Sequence, residues 1–310
     1  MQTISECGVF SGLSEEEYFK LQAVSNSRLQ PLLKSPAHCK WAMDHPSEPT
    51  AAMVLGSAVD CLVFTPKQWN ERFAVAEQCD EFTQKGTRCS FNGAFRFHNE
   101  TWRCSAHAKK YAILNQPDVG FTTLTPDQSS TAYAMAKAVL NHPGASVLLA
   151  ACEEFQLSLV WRENNLLCKG RLDGLSSELK TVIDLKTCAD ASLEAFSRKI
   201  ADLSYHRQAA MYLRGCSFHG IEAQNYVIIA VENEPPHVVA LYTLTERPFL
   251  NTDRGSLPTF TPVEYGNREL LRLLDLFERC EATGIWEGYP AQPMPISLPG
   301  WVMARMERAS

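Results

Sequence analysis

The 310-residue sequence lacks long apolar runs and low-complexity tracts. Its longest apolar runs, Val147–Cys152 and Tyr226–Val231, have six residues each, whereas a membrane-spanning helix needs about 20. Residues Met1–Glu6 contain no basic stretch followed by an apolar one, so the sequence predicts no signal peptide. We therefore expect a soluble, intracellular protein of the cytoplasm.

An excess of positive charge is also missing. The chain has 29 Lys and Arg against 35 Asp and Glu, which gives a formal net charge of −6. Indiscriminate binding to nucleic-acid phosphates needs an excess of basic residues and is therefore excluded. A DNA enzyme whose positive charge lies in one groove remains compatible with this composition. With 45% hydrophobic residues the chain can bury a large core, which excludes a disordered or fibrous protein.

The hydrophobic pattern changes along the chain and predicts an α/β fold. Residues 1–75 favour helices. The predicted helices are Ala51–Phe64, Gln128–Asn141, Ser192–Ala201, Leu203–Arg214 and Arg268–Ala282. We expect another element to pack closely against the first helix at Gly56, and Gly215 to end the fourth. The predicted strands are Phe155–Trp161 and Leu166–Leu175, which form a hairpin, Lys180–Lys186, Tyr226–Val231 and His237–Leu244. Because hairpins occur together with helical connections, we expect a mixed sheet.

Two predicted strands each carry an aspartate, Asp173 and Asp184, and the second strand also carries Lys186. Because side chains alternate along a strand, Asp184, Lys186 and Val182 should share one face. Two carboxylates beside a lysine suit Mg²⁺, which would polarise a water attacking a phosphate. The lysine would hold that water or offset developing negative charge. Surface ion pairs are the alternative, which the flanking apolar residues disfavour.

Gln208 and Tyr212 lie four residues apart in a predicted helix and should share one face of it. There they would reach a phosphate or a metal-binding carboxylate. An amphipathic helix with a glutamine at its rim is equally consistent with this pattern.

Together these residues resemble the PD-(D/E)xK nuclease signature. The matching motifs are Leu172-Asp173, Ile183-Asp184-Leu185-Lys186 and the Gln208-x-x-x-Tyr212 helix. The chain is further similar to RecE-type phage exonucleases (exonuclease VIII) through Ser25–Leu29, Leu33–His38 and Leu55–Asp60. The resemblance spans about residues 11–244 and implies a restriction-endonuclease-like mixed central sheet flanked by helices.

The resemblance also implies roles for individual residues. Asp173 and Asp184 would bind Mg²⁺ or Mn²⁺, and Lys186 would be the lysine that handles water. Gln208 and Tyr212 would position DNA or the metal shell, and His206 would join this catalytic group. Asp60 stands where the family commonly has a histidine, so we expect it to be a substitute metal ligand, with pairing inside the helix as the alternative. Gln156 stands where the family often has an acid.

The activity implied by the resemblance is that of an exodeoxyribonuclease. It would degrade one strand of linear double-stranded DNA ends in the 5′ to 3′ direction. The single strands would pass to a RecT-like annealing protein in phage recombination, and the chain would form a ring-shaped homo-oligomer. The alternatives are an endonuclease, a nuclease of other polarity, or a catalytically inactive module that binds DNA ends or protein.

The 11 cysteines of this expected intracellular chain favour free thiols or metal ligands over disulfides. Cys79, Cys89, Cys104 and His107 lie in one polar, turn-rich segment. Three thiolates and an imidazole suit tetrahedral Zn²⁺ and leave no open position, so a structural zinc site is predicted. His98 is a competing ligand, and scattered reduced cysteines are the alternative.

The predicted domain organisation follows from these motifs. The exonuclease domain covers residues 1–76 and 111–290, and the zinc-binding subdomain is inserted at residues 77–110. Residues 291–310 form a C-terminal tail. Its Pro-rich beginning, Pro290–Pro299, and Trp301 are predicted to pack over the body.

Overall fold

A computed structural model describes residues 6–93, 95–97, 100–111, 121–247 and 260–298. The helices are α1 (Glu15–Lys20), α2 (Asn26–Leu29), α3 (Pro36–Asp44), α4 (Ala51–Phe64), α5 (Trp69–Arg72), α6 (Ser105–Tyr111), α7 (Pro126–Asn141), α8 (Pro143–Ala150), α9 (Leu193–Asp202), α10 (Tyr205–Phe218) and α11 (Pro262–Thr283). The strands are β1 (Gly8–Phe10), β2 (Phe73–Val75), β3 (Phe95–Arg96), β4 (Trp102–Arg103), β5 (Thr122–Leu124), β6 (Glu154–Glu163), β7 (Leu166–Ser176), β8 (Thr181–Cys188), β9 (Asn225–Glu232) and β10 (Val239–Thr243).

A six-stranded sheet with the order β1-β6-β7-β8-β9-β10 forms the centre of the fold. Its neighbouring strands are antiparallel except for β8 and β9, which run parallel. Parallel neighbours need a crossover connection, which α9 and α10 provide here. The predicted mixed central sheet flanked by helices is confirmed.

The sheet separates two apolar cores. Val182 of β8 lies in the core that β8 shares with α10 and α11. Ile183 and Leu185 lie in the core on the other side, with α4 and α7. The predicted alternation along this strand is therefore confirmed, and it fixes which face presents Asp184 and Lys186.

The prediction that Gly215 ends the helix of α10 is wrong, because α10 continues to Phe218. A Cβ atom at Gly215 would lie 2.9 Å from Cζ3 of Trp161, so the glycine is needed for close packing against β6. The residue with positive φ after the helix is Gly220, at 69°.

Gly56 requires a similar correction. A Cβ atom there would meet Oγ1 of Thr187 at 3.6 Å, which is an ordinary contact, so packing does not demand the glycine. The helical reading of residues 1–75 also missed β1, which pairs with β6 from Gly8↔Val160 to Phe10↔Ser158. Three residues are too few to show a strand period.

Helix α11 begins earlier than predicted because Thr261 and Glu264 form a reciprocal capping box at its start. After the helix, the chain contacts the body through Trp286, which packs edge-on against Phe277. Residues 291–298 are exposed, so the predicted packing of this segment over the body is wrong for the part that is described. Pro299 and Trp301 lie outside the described residues.

The inserted segment leaves the body after β2 and returns before β5. These two strands pair in parallel, with Phe73↔Thr122 and Val75↔Leu124 as partners, so the ends of the insertion lie close together. Near its centre, β3 and β4 form an antiparallel strand pair. Within the described residues, no helix is long and apolar enough to cross a membrane.

Candidate active site

Asp173 lies where the hydrogen-bonded ladder between β7 and β8 stops. Pairing runs from Ser176↔Thr181 to Gly174↔Ile183 and does not continue to Asp173. Instead, the main-chain N–H of Leu185 donates to Asp173 Oδ2 at 2.8 Å. The Asp173 carboxylate thus accepts a hydrogen bond from the main chain of β8, and this bond holds it beside Asp184.

Asp184 and Lys186 project from β8 toward α10. Asp184 is 1% exposed. Its Oδ1 accepts a hydrogen bond from Gln208 Nε2 at 3.1 Å, and its Oδ2 lies 2.6 Å from Lys186 Nζ. The ammonium also lies 4.9 Å from the ring centroid of Tyr205. One face of α10 therefore packs over both charged groups.

Asp60 reaches the same region from α4, on the opposite side of the sheet from α10. Gln156 of β6 donates from Nε2 to both of its carboxylate oxygens, at 3.2 and 3.0 Å. The partner of Asp60 is thus a neutral amide from another element, not a residue of its own helix. The amide orients the Asp60 carboxylate without placing a positive charge on it.

Tyr212 lies one turn after Gln208 on α10, as the i, i+4 spacing predicts. A Cβ atom at Gly170 would come within 2.9 Å of the Tyr212 ring, so the glycine leaves room for the tyrosine over β7. Burial, with Tyr18 and the carboxylate of Asp184 adding to it, raises the pKa of the Tyr212 hydroxyl well above 10.0. The hydroxyl is therefore neutral at physiological pH.

The structure does not bring His206 to this group. Its Nε2 lies 3.6 Å from Glu269 of α11, and its Nδ1 lies 3.2 Å from the carbonyl oxygen of Ile200. His206 is two positions from Gln208 and therefore faces another side of the helix. The α10–α11 crossing is close there, because a Cβ atom at Gly266 would overlap the His206 carbonyl at 2.1 Å. The structure therefore contradicts the catalytic role predicted for His206, whose side chain lies instead in the contact between α10 and α11.

The carboxylates influence one another electrostatically. Burial raises the pKa of Asp60 from 3.8 to about 7, although the positive charges of Arg72 and Lys186 oppose it. Burial, then the charges of Asp184 and Asp60, raises the pKa of Asp173 well above 3.8. Burial acts to lower the pKa of Lys186, but the charges of Asp184 and Asp173 raise it above 10.5. The lysine is therefore an ammonium at neutral pH.

This group opens into a cleft of about 460 Å³. Asp60, Asp173 and Lys186 line its floor. Further positive charges in its lining are Arg72, Arg171 and Lys199. A protein with a net charge of −6 thus concentrates cationic side chains beside its acidic centre, as expected for a site that receives a phosphate-bearing ligand.

The donor set of Asp60, Asp173 and Asp184 fits a hard divalent cation. Each carboxylate is held by one neutral N–H donor, from Gln156, Leu185 and Gln208 respectively. These neutral donors orient the oxygens, and only Asp184 among the three also pairs with a cation, Lys186, at 2.6 Å. Because burial raises the pKa of Asp60 and of Asp173, a divalent cation would compete with protons for these two carboxylates. Carboxylate oxygens are the ligands that Mg²⁺ prefers.

The inserted segment holds a second candidate metal site. The ligand atoms of Cys79, Cys89, Cys104 and His107 all lie within 4.8 Å of one another. His98, the competing ligand, lies outside the described residues.

The local fold explains how the four ligands meet. Residues 78–92 form a ribbon, with bridges Gln78↔Asn92 and Phe82↔Arg88, that carries Cys79 and Cys89. Its turn includes Gly86 at φ 76°. Cys104 directly precedes α6, and His107 lies in the first turn of that helix. This pair of ligands therefore lies at a helix start.

Sequence reasoning missed several residues around the active site. Arg207 of α10 is fully buried and donates to Asn26 at 2.8 Å and to Glu269 at 3.0 Å, which explains the asparagine in the Ser25–Leu29 motif structurally. Arg171 lies against the ring of Tyr18, 4.3 Å from its centroid, and anchors the N-terminal segment over the cleft. Neither contact has a signal in spacing or periodicity, because the partners lie far apart in the chain.

Comparisons with known proteins agree with this fold. A family model described as "PDDEXK-like domain of unknown function (DUF3799)" matches residues 25–257. A crystal structure of a protein from Eubacterium rectale, described as "Putative exonuclease", has a TM-score of 0.52 at 12% identity, covering 93% of this chain and 97% of that one. The structure of SSO0001 has a TM-score of 0.25 at 14% identity, covering 55% of this chain and 67% of that one, which is too low to inform the fold. The comparison with curated proteins found no match.

Proposed function

Because the chain belongs to the PDDEXK-like family, we propose that it is a divalent-metal-dependent deoxyribonuclease. We further propose that it acts as a 5′ to 3′ exonuclease on the ends of linear double-stranded DNA. The observation that carries the proposal is that Asp60, Asp173 and Lys186 line one cleft with cationic walls, while the buried Asp184 contacts Lys186 at 2.6 Å. Phosphodiester hydrolysis needs a cation, an oriented water and charge compensation at such a place.

Each residue of the group has a proposed role. Asp60, Asp173 and Asp184 hold Mg²⁺ or Mn²⁺, which when bound supplies Lewis-acid activation of water and of the phosphate. Lys186 acts as an ammonium, because its raised pKa keeps it protonated. It therefore donates a hydrogen bond to the water or the phosphate oxygens and does not act as a base. Gln208 orients Asp184 by its hydrogen bond of 3.1 Å.

Tyr212 and the cationic lining serve the substrate in this proposal. The Tyr212 hydroxyl stays neutral and can donate a hydrogen bond close to Gln208. Arg72, Arg171 and Lys199 line the cleft and offer contacts to DNA phosphates on either side of the cleaved bond. Their grouping in one cleft explains how an acidic protein would bind DNA locally.

The Cys79, Cys89, Cys104 and His107 group binds a structural Zn²⁺ in this proposal. The group supports this proposal because its three sulfurs and one imidazole nitrogen lie within 4.8 Å of one another, and zinc prefers these donor atoms. All three cysteines are buried, which suits a closed site and leaves no position for a substrate. The ion would stabilise an insertion that has little apolar core of its own.

The wider biological setting is also part of the proposal. The single strands that the enzyme produces would serve a RecT-like annealing protein in phage recombination in the cytoplasm. A ring-shaped homo-oligomer around DNA would keep the enzyme on its substrate. These elements are carried over from the resemblance to RecE-type exonucleases, and they extend the nuclease proposal without being needed for it.

An inactive module that binds DNA ends or protein is the second candidate. Its support is that Asp184 is only 1% exposed and that its Oδ2 is already engaged by Lys186. Such an arrangement would preserve a DNA-binding cleft without holding a cation.

One assay separates the two candidates. Linear duplex DNA, labelled at the 5′ or the 3′ end of one strand, is incubated with Mg²⁺ and either the native protein or Asp184→Asn. Nucleotide release by the native protein alone supports the enzyme, and the label that is released first gives the polarity. If both proteins bind the DNA and neither cleaves it, the nuclease proposal fails and the binding module is favoured.

A further inference from the structure

Gln156 has an unusual backbone conformation for a residue inside a strand. Its φ is 53°, in the left-handed region, where residues other than glycine, asparagine and aspartate are uncommon and pay a cost in strain. Nothing in a glutamine side chain favours this conformation. Such strained residues concentrate at functional sites, where the surrounding structure holds them in place.

The conformation coincides with a break in the β6–β7 ladder. Phe155↔Gly174 and Leu157↔Leu172 are paired on either side, whereas Gln156 and the Asp173 opposite it are not. This is the same point at which the β7–β8 ladder stops. The backbone at Gln156 thus departs from the regular strand beside the acidic group.

The departure allows one specific contact. Gln156 Nε2 donates to both oxygens of Asp60, at 3.2 and 3.0 Å. Asp60 projects from α4 and has no strand neighbour to fix its carboxylate, so the amide supplies the orientation. Gln208 makes an equivalent contact to Asp184 at 3.1 Å from the other side of the sheet.

A neutral donor orients a carboxylate without adding a positive charge beside it. A lysine or arginine in place of Gln156 would neutralise Asp60, and an acid would offer it no N–H. An amide fixes the direction of the carboxylate and leaves its charge for an incoming ion, as the outer partners of metal ligands do.

We propose that Gln156 is a positioning residue that holds the Asp60 carboxylate in the orientation in which it binds the divalent cation. The inference rests on the proposed function, since it assumes that the aspartates bind a metal. The positive φ of Gln156 brings its amide to Asp60, and we infer that the two hydrogen bonds to Asp60 offset the backbone strain.

The test is Mn²⁺ binding to the full-length, zinc-loaded protein, followed by electron paramagnetic resonance, in native protein and Gln156→Gly. Loss of an outer-shell partner typically lowers metal affinity about 10- to 100-fold, and we expect a loss of this size. Glycine suits a φ of 53°, so the unfolding temperature should stay the same or rise. A purely structural role for Gln156 would instead lower the unfolding temperature and leave the affinity unchanged.

Two further variants strengthen this test. Gln156→Asn also tolerates positive φ but is one methylene shorter, so it should lose affinity as Gln156→Gly does. In an Asp60→Asn background, Gln156→Gly should change the affinity less than about two-fold, because coupled residues are not additive. Native-like affinity in both Gln156 variants, or full additivity with Asp60→Asn, would overturn the proposal.

The same experiment separates this inference from the proposed function. If Asp184→Asn binds Mn²⁺ as tightly as the native protein, the aspartates are not the metal site, and both proposals fail. If Asp184→Asn loses the ion while the Gln156 variants keep it, only the role of Gln156 is refuted.

Discussion

The two candidate metal sites of this chain are built in opposite ways. Asp60, Asp173 and Asp184 project from a helix and two strands of the main body, and Asp60 and Asp173 line an open cleft. The Cys₃His group lies in an insertion whose described strands have two residues each, and its four ligand atoms lie within 4.8 Å of one another. One site is held open by a large scaffold, and the other gathers a small unit around itself.

This difference indicates what each site is for. An ion among the aspartates would remain accessible from a cleft of about 460 Å³ and could exchange ligands with a substrate. An ion among the buried cysteines would be fully coordinated by protein, which is the property of structural zinc sites. The first site therefore depends on the fold for its shape, whereas the fold of the insertion depends on the second.

Substitution of Lys186 should have the largest effect on DNA cleavage and should affect only the acidic site. Lys186→Met removes the ammonium that lies 2.6 Å from Asp184. We expect DNA cleavage to fall about 100-fold or more, as when one charge-stabilising donor is lost from an active site. Zinc content should not change, because Lys186 belongs to the main body. Cleavage at the native rate, measured with saturating Mg²⁺, would contradict the proposed role of the lysine.

The next effect should appear in the insertion. Cys104→Ser removes one of the four ligands, so the protein should lose its zinc, and the insertion should become sensitive to limited proteolysis. The central sheet should remain protected in hydrogen exchange, since the insertion ends close together on β2 and β5. Cys168→Ser is the matched control, because Cys168 is a buried thiol in the main core. Retention of zinc by Cys104→Ser would refute the site.

A moderate effect of pH should distinguish the acidic site from the zinc site. The raised pKa of Asp60, about 7, means that folded protein retains a proton that the unfolded chain releases above 3.8. Without Mg²⁺, stability should therefore fall as pH rises from about 4 to about 7, by less than about 1.4 kcal/mol per pH unit for this group.

Added Mg²⁺ should raise the unfolding temperature more at pH 8 than at pH 5, because the ion competes with protons for the carboxylates. Thermal unfolding with and without Mg²⁺ measures this, and Asp60→Asn should flatten the pH response. A stabilisation by Mg²⁺ that is equal at both pH values would show that the ion does not bind these acids.

The smallest expected effect concerns the wall of the cleft. Glu15 of α1 pairs with Arg72 of α5 at 2.6 Å, and both line the cleft. Glu15→Gln should free the guanidinium for DNA phosphates and strengthen DNA binding about two- to five-fold at low salt, because exposed pairs are weak. Glu16→Gln, which breaks the Lys20 pair on the same helix, is the matched control. If Glu15→Gln and native protein bind DNA equally in a salt titration, Arg72 does not contact DNA.

The sequence predicted those parts of the molecule that depend on local pattern. The alternation of Asp184 and Lys186 on β8 and the spacing of Gln208 and Tyr212 on α10 follow from strand and helix periods. The structure places these four residues as the periods require. The four residues of the Cys₃His group are likewise recognisable, because they are dense in the sequence and chemically matched.

Other features required three-dimensional information. The positive φ of Gln156 has no sequence signature, because glutamine does not favour it. The place of His206 depends on where α11 crosses α10, which neither helix reveals alone. Similarly, Gly215 lies inside α10 because the Trp161 ring occupies the space that a Cβ atom would need, a contact between residues 54 positions apart. Long-range packing overrode local preference at each of these positions.

The most direct measurement for the central claim is anomalous diffraction from a crystal of the protein grown with Mn²⁺ and no chelator. The account predicts a manganese peak among the carboxylates of Asp60, Asp173 and Asp184, together with a separate zinc peak among the three cysteines and His107. Manganese bound elsewhere, with the three aspartates holding no ion at saturating concentration, would contradict it.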